Sequence, residues 1–256
     1  MRLNGKLAVV SAAASGMGRA GCERFVAEGA AIAAIDINED AVNEMVESIR
    51  SNGGTAFPVV ADLSDKSECE RAIREAAQHL GGINVLWNHA GIPGPSGIEE
   101  IDYKAYDQTI RLNVDSCVVM SSAAIPIMRD GGGGSMLFTA STSGLVGSMF
   151  SPIYSATKFA VVGLAKSLAV RLAPDNIRVN ALCPALTETP MLRGFTSRNG
   201  SDEEHGANLA KIRQAVPLGR PGTATEMANA ALWLLSDEAS YVTGIALPVD
   251  GGFTAS

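Results

Sequence analysis

Residues 7–28 read LAVVSAAASGMGRAGCERFVAE: an apolar run, a turn of small residues and an amphipathic segment. The run Leu7–Ser11 is typical of a buried strand, and Ala20–Glu28 has the apolar spacing of a helix. Gly16 and Gly18 lie in the turn, where glycine lets the backbone approach a pyrophosphate and the new helix attracts its negative charge. The stretch therefore predicts a phosphate-binding unit; a purely structural connection between a strand and a helix is the alternative.

Short apolar runs alternate with longer helical patterns along the whole chain. Because these runs are nearly continuous in apolar residues, they fit strands of a parallel sheet that is covered on both faces. We therefore predict one α/β domain over residues 1–256, with a Rossmann-like doubly wound parallel sheet of about seven strands and helices on both faces. Residues 190–216 interrupt the pattern and are predicted to form a mobile lid over the substrate. The predicted strands are Leu7–Ser11, Ala31–Asp36, Ala56–Val60, Val85–Asn88, Ser135–Ala140, Arg178–Leu182 and Ile245–Val249.

The composition argues against several classes of protein. With 46% hydrophobic and 18% charged residues the chain is neither disordered nor fibrous, and 20 basic against 27 acidic side chains, a net charge of -7, disfavour nucleic-acid binding. The four cysteines and three histidines are scattered, so we expect no metal and no disulfide framework. No 18 uncharged apolar residues run together, so we expect no membrane span. The N-terminal apolar run is too short for a convincing signal peptide, and the protein is predicted to be cytoplasmic.

Asp36 ends the second predicted strand, 18 positions after Gly18. A carboxylate at this place can accept hydrogen bonds from the adenosine ribose of a dinucleotide, and it repels a 2′-phosphate. Its expected neighbours, Ser15 and Ile37, supply no positive charge to hold such a phosphate. The pattern favours NAD over NADP; an aspartate that caps the next helix is the alternative.

Tyr154 and Lys158 stand four positions apart in the helical pattern Tyr154–Ala173, so their side chains share one helix face. A free tyrosine has a pKa of about 10 and is a poor base near neutrality. A nearby ammonium and the positive ring of an oxidised nicotinamide are expected to lower the pKa of Tyr154. The spacing alone is common by chance, but Ser141 lies 13 positions before Tyr154 at the end of a predicted strand.

In combination, these motifs resemble the short-chain dehydrogenase/reductase family over nearly the whole chain. The matching segments are Ser11–Gly18, Asp36, Asp62 with Leu63, Asn88–Gly91, Asn113, Ser141, Tyr154 with Lys158, Pro184–Thr189 and Val249–Gly252. The resemblance implies a catalytic set of Asn113, Ser141, Tyr154 and Lys158. It implies a cofactor-binding set of Ser11, Ser15, Gly16, Met17, Gly18, Asp36, Ile37, Asp62, Leu63, Asn88, Ala90, Gly91, Tyr154, Lys158, Pro184, Leu186, Thr187 and Thr189.

The resemblance also implies individual roles. Tyr154 would exchange the proton of the alcohol, Ser141 would steady the substrate oxygen, and Asn113 would hold a water that relays protons to Lys158. Lys158 would also bind the nicotinamide ribose. Asp62 and Leu63 would bracket the adenine, Asn88, Ala90 and Gly91 would shape the cofactor floor, and Pro184–Thr189 would fix the carboxamide.

Three positions depart from the family pattern. Ala12 stands where the family has glycine, His89 replaces a second asparagine, and Ala185 replaces a glycine. The Ala12 methyl group is expected to displace the turn slightly and at most to weaken cofactor binding. For His89, a packing or hydrogen-bonding role is favoured over a catalytic one.

The resulting hypothesis is an NAD-dependent enzyme that interconverts a secondary alcohol and a ketone. The predicted pocket is apolar, which favours a small hydrophobic substrate, and Arg193 and Arg198 are interpreted as solvated charges rather than as partners of an anionic tail. The alternatives are an NADP-dependent 3-ketoacyl reductase, a non-catalytic nucleotide sensor and a methyltransferase. By resemblance, a homotetramer is expected through the helical segments Tyr103–Met128 and Tyr154–Ala173. The predicted pocket residues are Leu145, Val146, Met149, Phe150, Met191, Leu192 and Phe195.

Overall fold

Seven parallel strands form the central sheet of the computed structural model, which describes residues 1–148, 151–197 and 201–255. The strands of the described residues are β1 Leu7–Ser11, β2 Ala31–Asp36, β3 Ala56–Val60, β4 Val85–Asn88, β5 Gly134–Thr139, β6 Ile177–Pro184, β7 Thr187–Glu188, β8 Gly222–Thr223 and β9 Ala246–Val249. The order in the sheet is β3-β2-β1-β4-β5-β6-β9, and β7 pairs with β8 separately. The doubly wound parallel sheet predicted from the sequence is confirmed.

Helices cover both faces of the sheet. The described helices are α1 Gly16–Ala27, α2 Glu39–Ser51, α3 Lys66–Leu80, α4 Tyr103–Ile110, α5 Ser116–Asp130, α6 Pro152–Leu172, α7 Leu192–Thr196, α8 Asp202–Ala215 and α9 Ala224–Leu235. One apolar cluster joins the sheet to α3, α5 and α6, and a second joins it to α1, α2 and α9. The sheet is therefore buried on both sides, which explains the continuous apolar runs of its strands.

The strand order reverses between β1 and β4, and this reversal determines where a ligand can bind. From β1 the chain winds outward through β2 and β3, and then returns to place β4 on the other side of β1. The crossovers diverge at this point, which leaves a crevice at the carboxyl ends of the strands. The turn after β1 and the segments after β4 and β5 border this crevice.

The predicted strand bounds agree best where turn residues bracket an apolar run. Strands β1 to β4 have the predicted bounds, whereas β5 begins and ends one residue earlier. Strand β6 extends to Pro184 because Pro184 pairs with Val249 of β9. The short pair β7–β8 was not predicted, since two-residue strands leave no periodic signal.

The segment predicted as a lid contains α7 and α8. Asn208 donates to the carbonyl oxygen of Thr196 at 2.9 Å, and His205 Nδ1 lies 2.5 Å from Thr196 Oγ1. Arg193 pairs with Asp202 at 2.5 Å. The two helices therefore hold one another together; the mobility of the lid stays a prediction.

Two helical stretches are apolar on more than one side. Tyr103–Asp130 and Pro152–Asp175 are long and apolar enough to cross a bilayer by length and composition alone, with 33% and 50% of the apolar window buried within the protein. Core helices of soluble proteins meet the same criterion, and the inner sides of both stretches pack against the sheet. Their outer sides expose Val118, Phe159 and Val170.

The four cysteines, Cys22, Cys69, Cys117 and Cys183, are buried free thiols. Burial raises the pKa of each thiol above its ordinary value. Their positions in the core agree with the interpretation of scattered, reduced thiols.

Candidate active site

The turn after β1 is shaped by tight backbone contacts. Gly16 and Ala12 have positive φ angles of 51° and 49°. A Cβ on Gly18 would lie 2.0 Å from the carbonyl oxygen of Ala12, so only glycine lets the chain double back here. Because α1 begins at Gly16, its amino end and unpaired N–H groups face the crevice.

Ala12 is held in a conformation that an L-residue adopts at a cost. Ala12→Gly is expected to raise the free energy of unfolding by about 0.5–1 kcal/mol, because relief of about 1–2 kcal/mol of left-handed strain exceeds the added flexibility of the unfolded chain. Urea unfolding measures the difference. Ala13→Gly is the matched control: Ala13 is buried without a positive φ, and this change is expected to lower stability. Equal losses in both variants would contradict the strain at Ala12.

Asp36 is fixed beside this turn at the end of β2. Its Oδ2 accepts from Ala14 N at 2.9 Å and its Oδ1 accepts from Asn38 N at 3.0 Å. The N-cap of α2 is Asn38, whose side chain accepts from Ala41 N. Helix capping therefore does not account for Asp36, and its carboxylate stays next to the turn. The neighbouring Ile37 is 65% exposed.

Asp62 and Leu63 lie at the adjoining strand end. Ala61 N donates to Asp36 O at 3.0 Å, which continues the pairing of β2 with β3. The Asp62 carboxylate accepts from the backbone and the hydroxyl of Ser64, and Leu63 is buried. One end of the crevice is thus formed by residues at and just after the ends of β2 and β3, and none of them lines the main cavity. These residues are Asp36, Ile37, Asp62 and Leu63.

Ser141, Tyr154 and Lys158 come together at the carboxyl end of β5. The hydroxyl of Ser141 faces the phenol of Tyr154 and opposes the rise of its pKa. Lys158 Nζ donates to Thr139 O at 2.8 Å and lies 5.4 Å from the centre of the Tyr154 ring. Both Tyr154 and Lys158 are buried on α6, one helical turn apart. The three predicted catalytic side chains therefore form one cluster.

Burial controls the acidities of this cluster. It raises the pKa of Tyr154 to about 12, and the hydrogen bond with Ser141 opposes the shift. Burial also lowers the pKa of Lys158 to about 8. The expected lowering of the tyrosine pKa is therefore not produced by the protein's own groups, because burial outweighs the hydrogen bond with Ser141. The charge of an oxidised nicotinamide is the remaining source of acidification.

Asn113 supports the cluster from a π-helical turn, Arg111–Asp115. Its Oδ1 accepts from Ile92 N at 2.8 Å, and its Nδ2 donates to Ile92 O at 2.9 Å and to Thr157 Oγ1 at 3.1 Å. A Cβ on Gly91 would lie 3.3 Å from both Asn113 Oδ1 and Lys158 Nζ. The side chain of Asn113 thus fixes the segment after β4, and its role in a proton relay stays a prediction.

Ser11 and Asn88 lie beneath the cavity wall. Ser11 Oγ accepts from His89 N at 2.8 Å and Ala90 N at 3.1 Å, which joins the ends of β1 and β4. Asn88 donates to Ser121 Oγ at 3.3 Å, and within the described residues its Oδ1 is buried without a partner. Both residues shape the floor without lining the cavity.

A cavity of about 680 Å³ opens at the carboxyl ends of the strands. Many of the predicted site residues share its wall, while Ser11, Gly18, Asn88, Ala90 and Asn113 lie behind it. The predicted residues that line the cavity are Ser15, Gly16, Met17, Gly91, Ser141, Tyr154, Lys158, Pro184, Leu186, Thr187 and Thr189.

The outer part of this cavity is mainly apolar. Its wall includes the predicted side chains of Val146, Met191, Leu192 and Phe195. Phe195 of α7 contacts the Tyr154 ring edge-on, with 5.1 Å between the ring centres. The segment predicted as a lid therefore places an apolar ring against the predicted catalytic phenol.

Known proteins and a family model are similar to this chain. A model described as enoyl-(acyl carrier protein) reductase matches residues 12–254. A 2,5-dichloro-2,5-cyclohexadiene-1,4-diol dehydrogenase of Sphingobium indicum is 34% identical over 253 residues, which cover 99% of this chain and 98% of that protein. The chain belongs to the short-chain dehydrogenase/reductase family.

Solved structures of this family show the same architecture. Levodione reductase has a TM-score of 0.95 at 29% identity, with 100% of both chains covered. A protein from Beutenbergia cavernae, provisionally assigned as an NAD(P)-dependent gluconate 5-dehydrogenase, contains NADP at low occupancy. Its TM-score is 0.91 at 35% identity, over 99% of this chain and 98% of that one. As a short-chain dehydrogenase/reductase, the protein is an oxidoreductase that acts on CH–OH groups with a nicotinamide cofactor.

The cavity of this short-chain dehydrogenase/reductase fits a dinucleotide. A Cβ on Gly16 would lie 3.2 Å from the side chain of Thr189, so the absent side chain leaves a narrow cradle at the amino end of α1. Polar side chains of Ser15, Thr187 and Lys158 line the same cavity. A diphosphate is stabilised by the positive end of a helix dipole and by small turn residues that let the backbone come close. The riboses are held by hydrogen-bond donors that converge on the same cavity.

The sequence predicted that residues 92–97 and 190–216 contribute to the cavity of this short-chain dehydrogenase/reductase, but it did not single out individual residues such as Ser96 there, and it did not predict Phe253. No local sequence motif includes these positions. The cavity-lining residues concerned are Ser96, the lid residues Asn208, Lys211 and Val216, and Phe253 of the C-terminal turn. Phe253 directly follows the motif Val249–Gly252, which could have indicated it.

One expectation about the pocket differs from the structure, the interpretation of Arg193 as a surface charge is consistent with it, and three residues lie outside the described part of the chain. Leu145 packs against the apolar core rather than lining the cavity. Arg193 is paired with Asp202, which leaves it engaged on the protein surface. Met149, Phe150 and Arg198 lie outside the described residues.

Proposed function

We propose that the protein interconverts a secondary alcohol and a ketone with NAD or NADH, and that its substrate is small and hydrophobic. The convergence of Ser141, Tyr154 and Lys158 on one cavity with the glycine turn supports the proposal most strongly. A non-catalytic nucleotide sensor would need none of this arrangement, and a methyltransferase would have no use for a tyrosine beside a buried lysine.

The chemistry is divided between the cofactor and the chain. The bound nicotinamide supplies or accepts the hydride. Tyr154 takes the alcohol proton during oxidation and returns it during reduction, while the hydroxyl of Ser141 donates a hydrogen bond to the substrate oxygen. Lys158 places positive charge beside the phenol and keeps its ammonium in position through Thr139 O. The apolar lid excludes water from these groups.

The preference for NAD is supported by the charges around Asp36. Its carboxylate is fixed beside the glycine turn, where a 2′-phosphate would meet its negative charge. Arg19, which directly follows Gly18 of the glycine turn, is engaged by Glu23 at 3.1 Å and Glu44 at 3.2 Å. One structural relative contains NADP, so the selectivity has to be measured on this chain.

Asp36→Asn is expected to lower the preference for NADH over NADPH by about tenfold or more, equivalent to about 1.4 kcal/mol. Asparagine keeps an oxygen that can accept from Ala14 N but removes the charge that repels a phosphate. The ratio of kcat/KM for the two cofactors measures the effect, and the exposed Asp107→Asn is the control. A wild-type protein that prefers NADPH tenfold would overturn the assignment of NAD.

The runner-up within the family is an NADP-dependent 3-ketoacyl reductase. The family model's description, which names a reductase of acyl-carrier substrates, is the observation that favours it. A panel of aliphatic, alicyclic, aromatic and steroid alcohols with NAD, compared with 3-ketoacyl thioesters and NADPH, separates the two. Turnover confined to the thioesters with NADPH would replace the proposed function.

The proposal includes a cytoplasmic homotetramer. The outer sides of α5 and α6 expose Val118, Phe159 and Val170, the last of these 80% exposed. Burying such residues between copies of the chain would remove apolar surface from water. Sedimentation equilibrium tests this part of the proposal.

A further inference from the structure

His89 is held in the cavity wall by a hydrogen-bonded group that the catalytic cluster does not explain. Trp87 Nε1 donates to Thr139 Oγ1 at 2.9 Å, and His89 Nδ1 lies 2.8 Å from the same oxygen. The His89 and Trp87 rings pack with their centres 4.8 Å apart. The backbone N–H of His89 donates to Ser11 Oγ at 2.8 Å, which fixes the ring from its other end.

The hydrogen bonds of Thr139 favour one tautomer of His89. An indole N–H can only donate, so Trp87 occupies one lone pair of Thr139 Oγ1. The Thr139 hydroxyl then needs an acceptor for its own hydrogen, and His89 Nδ1 is within reach. With Nδ1 accepting, the ring proton lies on Nε2. Burial, together with the charge of Lys158, lowers the pKa of His89 to about 3, so the ring is neutral.

The Nε2–H group of His89 opens to the cavity. His89 shares the cavity wall with Ala12, Gly91 and Lys158. Within the described part of the chain, the one fully buried side-chain nitrogen or oxygen without a hydrogen bond is Asn88 Oδ1. His89 Nε2 makes no hydrogen bond within the described residues and is not one of the fully buried atoms. It is therefore accessible to a ligand in the cavity.

The position of His89 in the fold indicates which part of a bound dinucleotide would lie next to it. Asp36 lies at the end of β2, on one side of β1, and marks the adenosine end of the crevice. His89 follows β4, on the other side of β1, between the amino end of α1 and Lys158. Between the amino end of α1 and Lys158, a bound dinucleotide would place its diphosphate and the ribose next to the nicotinamide. A neutral donor suits their oxygens, because a cation would be repelled by Lys158 and by an oxidised nicotinamide.

We propose that His89 is a cofactor-binding residue whose Nε2–H donates to an oxygen of the phosphate or of the ribose on the nicotinamide side of the dinucleotide, oriented by Trp87 and Thr139. The proposal rests on the proposed function, because it needs a dinucleotide in the cavity.

Calorimetric titrations of the full chain with AMP, ADP, ADP-ribose and NAD test the proposal. His89→Phe keeps a ring against Trp87 but has no donor; its Kd for ADP-ribose and NAD is expected to rise about tenfold, whereas the Kd for AMP stays unchanged. A matching loss for ADP assigns the acceptor to a phosphate, and a loss that begins with ADP-ribose assigns it to the ribose. His79→Phe, the same change at a half-exposed histidine of α3 outside the cavity wall, is the control and should bind like the wild type.

The outcomes separate this proposal from the proposed function. A wild-type protein that binds none of the four ligands would overturn both. Unchanged NAD binding in His89→Phe, an equal loss for AMP, or a loss confined to NAD would overturn only the role of His89.

A second measurement does not depend on the folding of a His89 variant. Nitrogen-15 NMR of the ring, in a protein freed of its other histidines by His79→Gln and His205→Gln, is expected to show a bare Nδ1 and a protonated Nε2. The Nε2 resonance should shift with ADP-ribose and not with AMP. A proton on Nδ1 would contradict the proposal.

Discussion

Tyr154→Phe is expected to lower kcat for alcohol oxidation by about a thousandfold or more while leaving the Kd for NAD nearly unchanged. General acid–base catalysis by one positioned side chain contributes about a hundred- to ten-thousandfold, and phenylalanine has no proton to exchange. The ring itself is retained, so its edge contact with Phe195 and its packing against Lys158 persist. Following the absorbance of reduced nicotinamide measures turnover, and calorimetry measures NAD binding.

The exposed Tyr103→Phe is the matched control, since Tyr103 is 74% exposed and far from the cavity wall. It should retain full turnover. Residual activity of more than about a tenth in Tyr154→Phe would remove Tyr154 as the proton-exchanging group.

The pH profile gives the wild-type protein a second signature of Tyr154. Burial raises the pKa of the phenol to about 12, and the positive charge of an oxidised nicotinamide lowers it from that value. Alcohol oxidation needs the deprotonated phenol, so its rate should rise with pH up to the pKa of the complex. Ketone reduction needs the protonated phenol and should fall above the pKa.

Gly18→Ala is expected to lower the free energy of unfolding by about 2–3 kcal/mol and to raise the Kd for NAD about tenfold or more. The new Cβ would lie 2.0 Å from the Ala12 carbonyl oxygen and 3.1 Å from Ala13 Cα. Both contacts are with the backbone, so no side-chain rotation can relieve them and the turn must move away from α1. Urea unfolding and NAD titration measure the two effects separately.

Gly163→Ala, also a change of glycine to alanine, is expected to change the free energy of unfolding in the opposite direction from Gly18→Ala. Gly163 is exposed within α6, and a Cβ there meets nothing within 4 Å. Alanine is expected to stabilise the protein by about 0.5–1 kcal/mol, because it restricts the unfolded chain. If Gly18→Ala behaved like Gly163→Ala, the turn would not be the tight element that positions the cofactor.

The parts of the fold that the sequence predicted are those with local signals. Strands β1 to β4 are apolar runs bracketed by turn residues, so their bounds could be placed. The extension of β6 to Pro184 depends on its partner Val249, and the pair of β7 with β8 joins segments far apart in the chain. Such ends are set by tertiary pairing and leave no local pattern.

The candidate site likewise has features that the sequence could predict and features that depend on the assembled fold. The resemblance to the family, added to the spacing of Ser141, Tyr154 and Lys158, predicted that these side chains meet, and the structure brings them together at a strand end and one helix face. The raised pKa of Tyr154 was not predicted, since burial is a property of the assembled core and the sequence shows only which charges are near. Likewise, the link from Trp87 through Thr139 to His89 requires two neighbouring strands in register.

The buried thiols have a practical consequence for following the lid. Because Cys22, Cys69, Cys117 and Cys183 are all enclosed in the core, maleimide reagents meet them only in unfolded molecules. One cysteine introduced at an exposed point of α8 would then be labelled selectively without removing any native residue. A fluorophore attached there would report in real time whether that helix moves when ligands enter and leave, and would so test the predicted mobility of the lid.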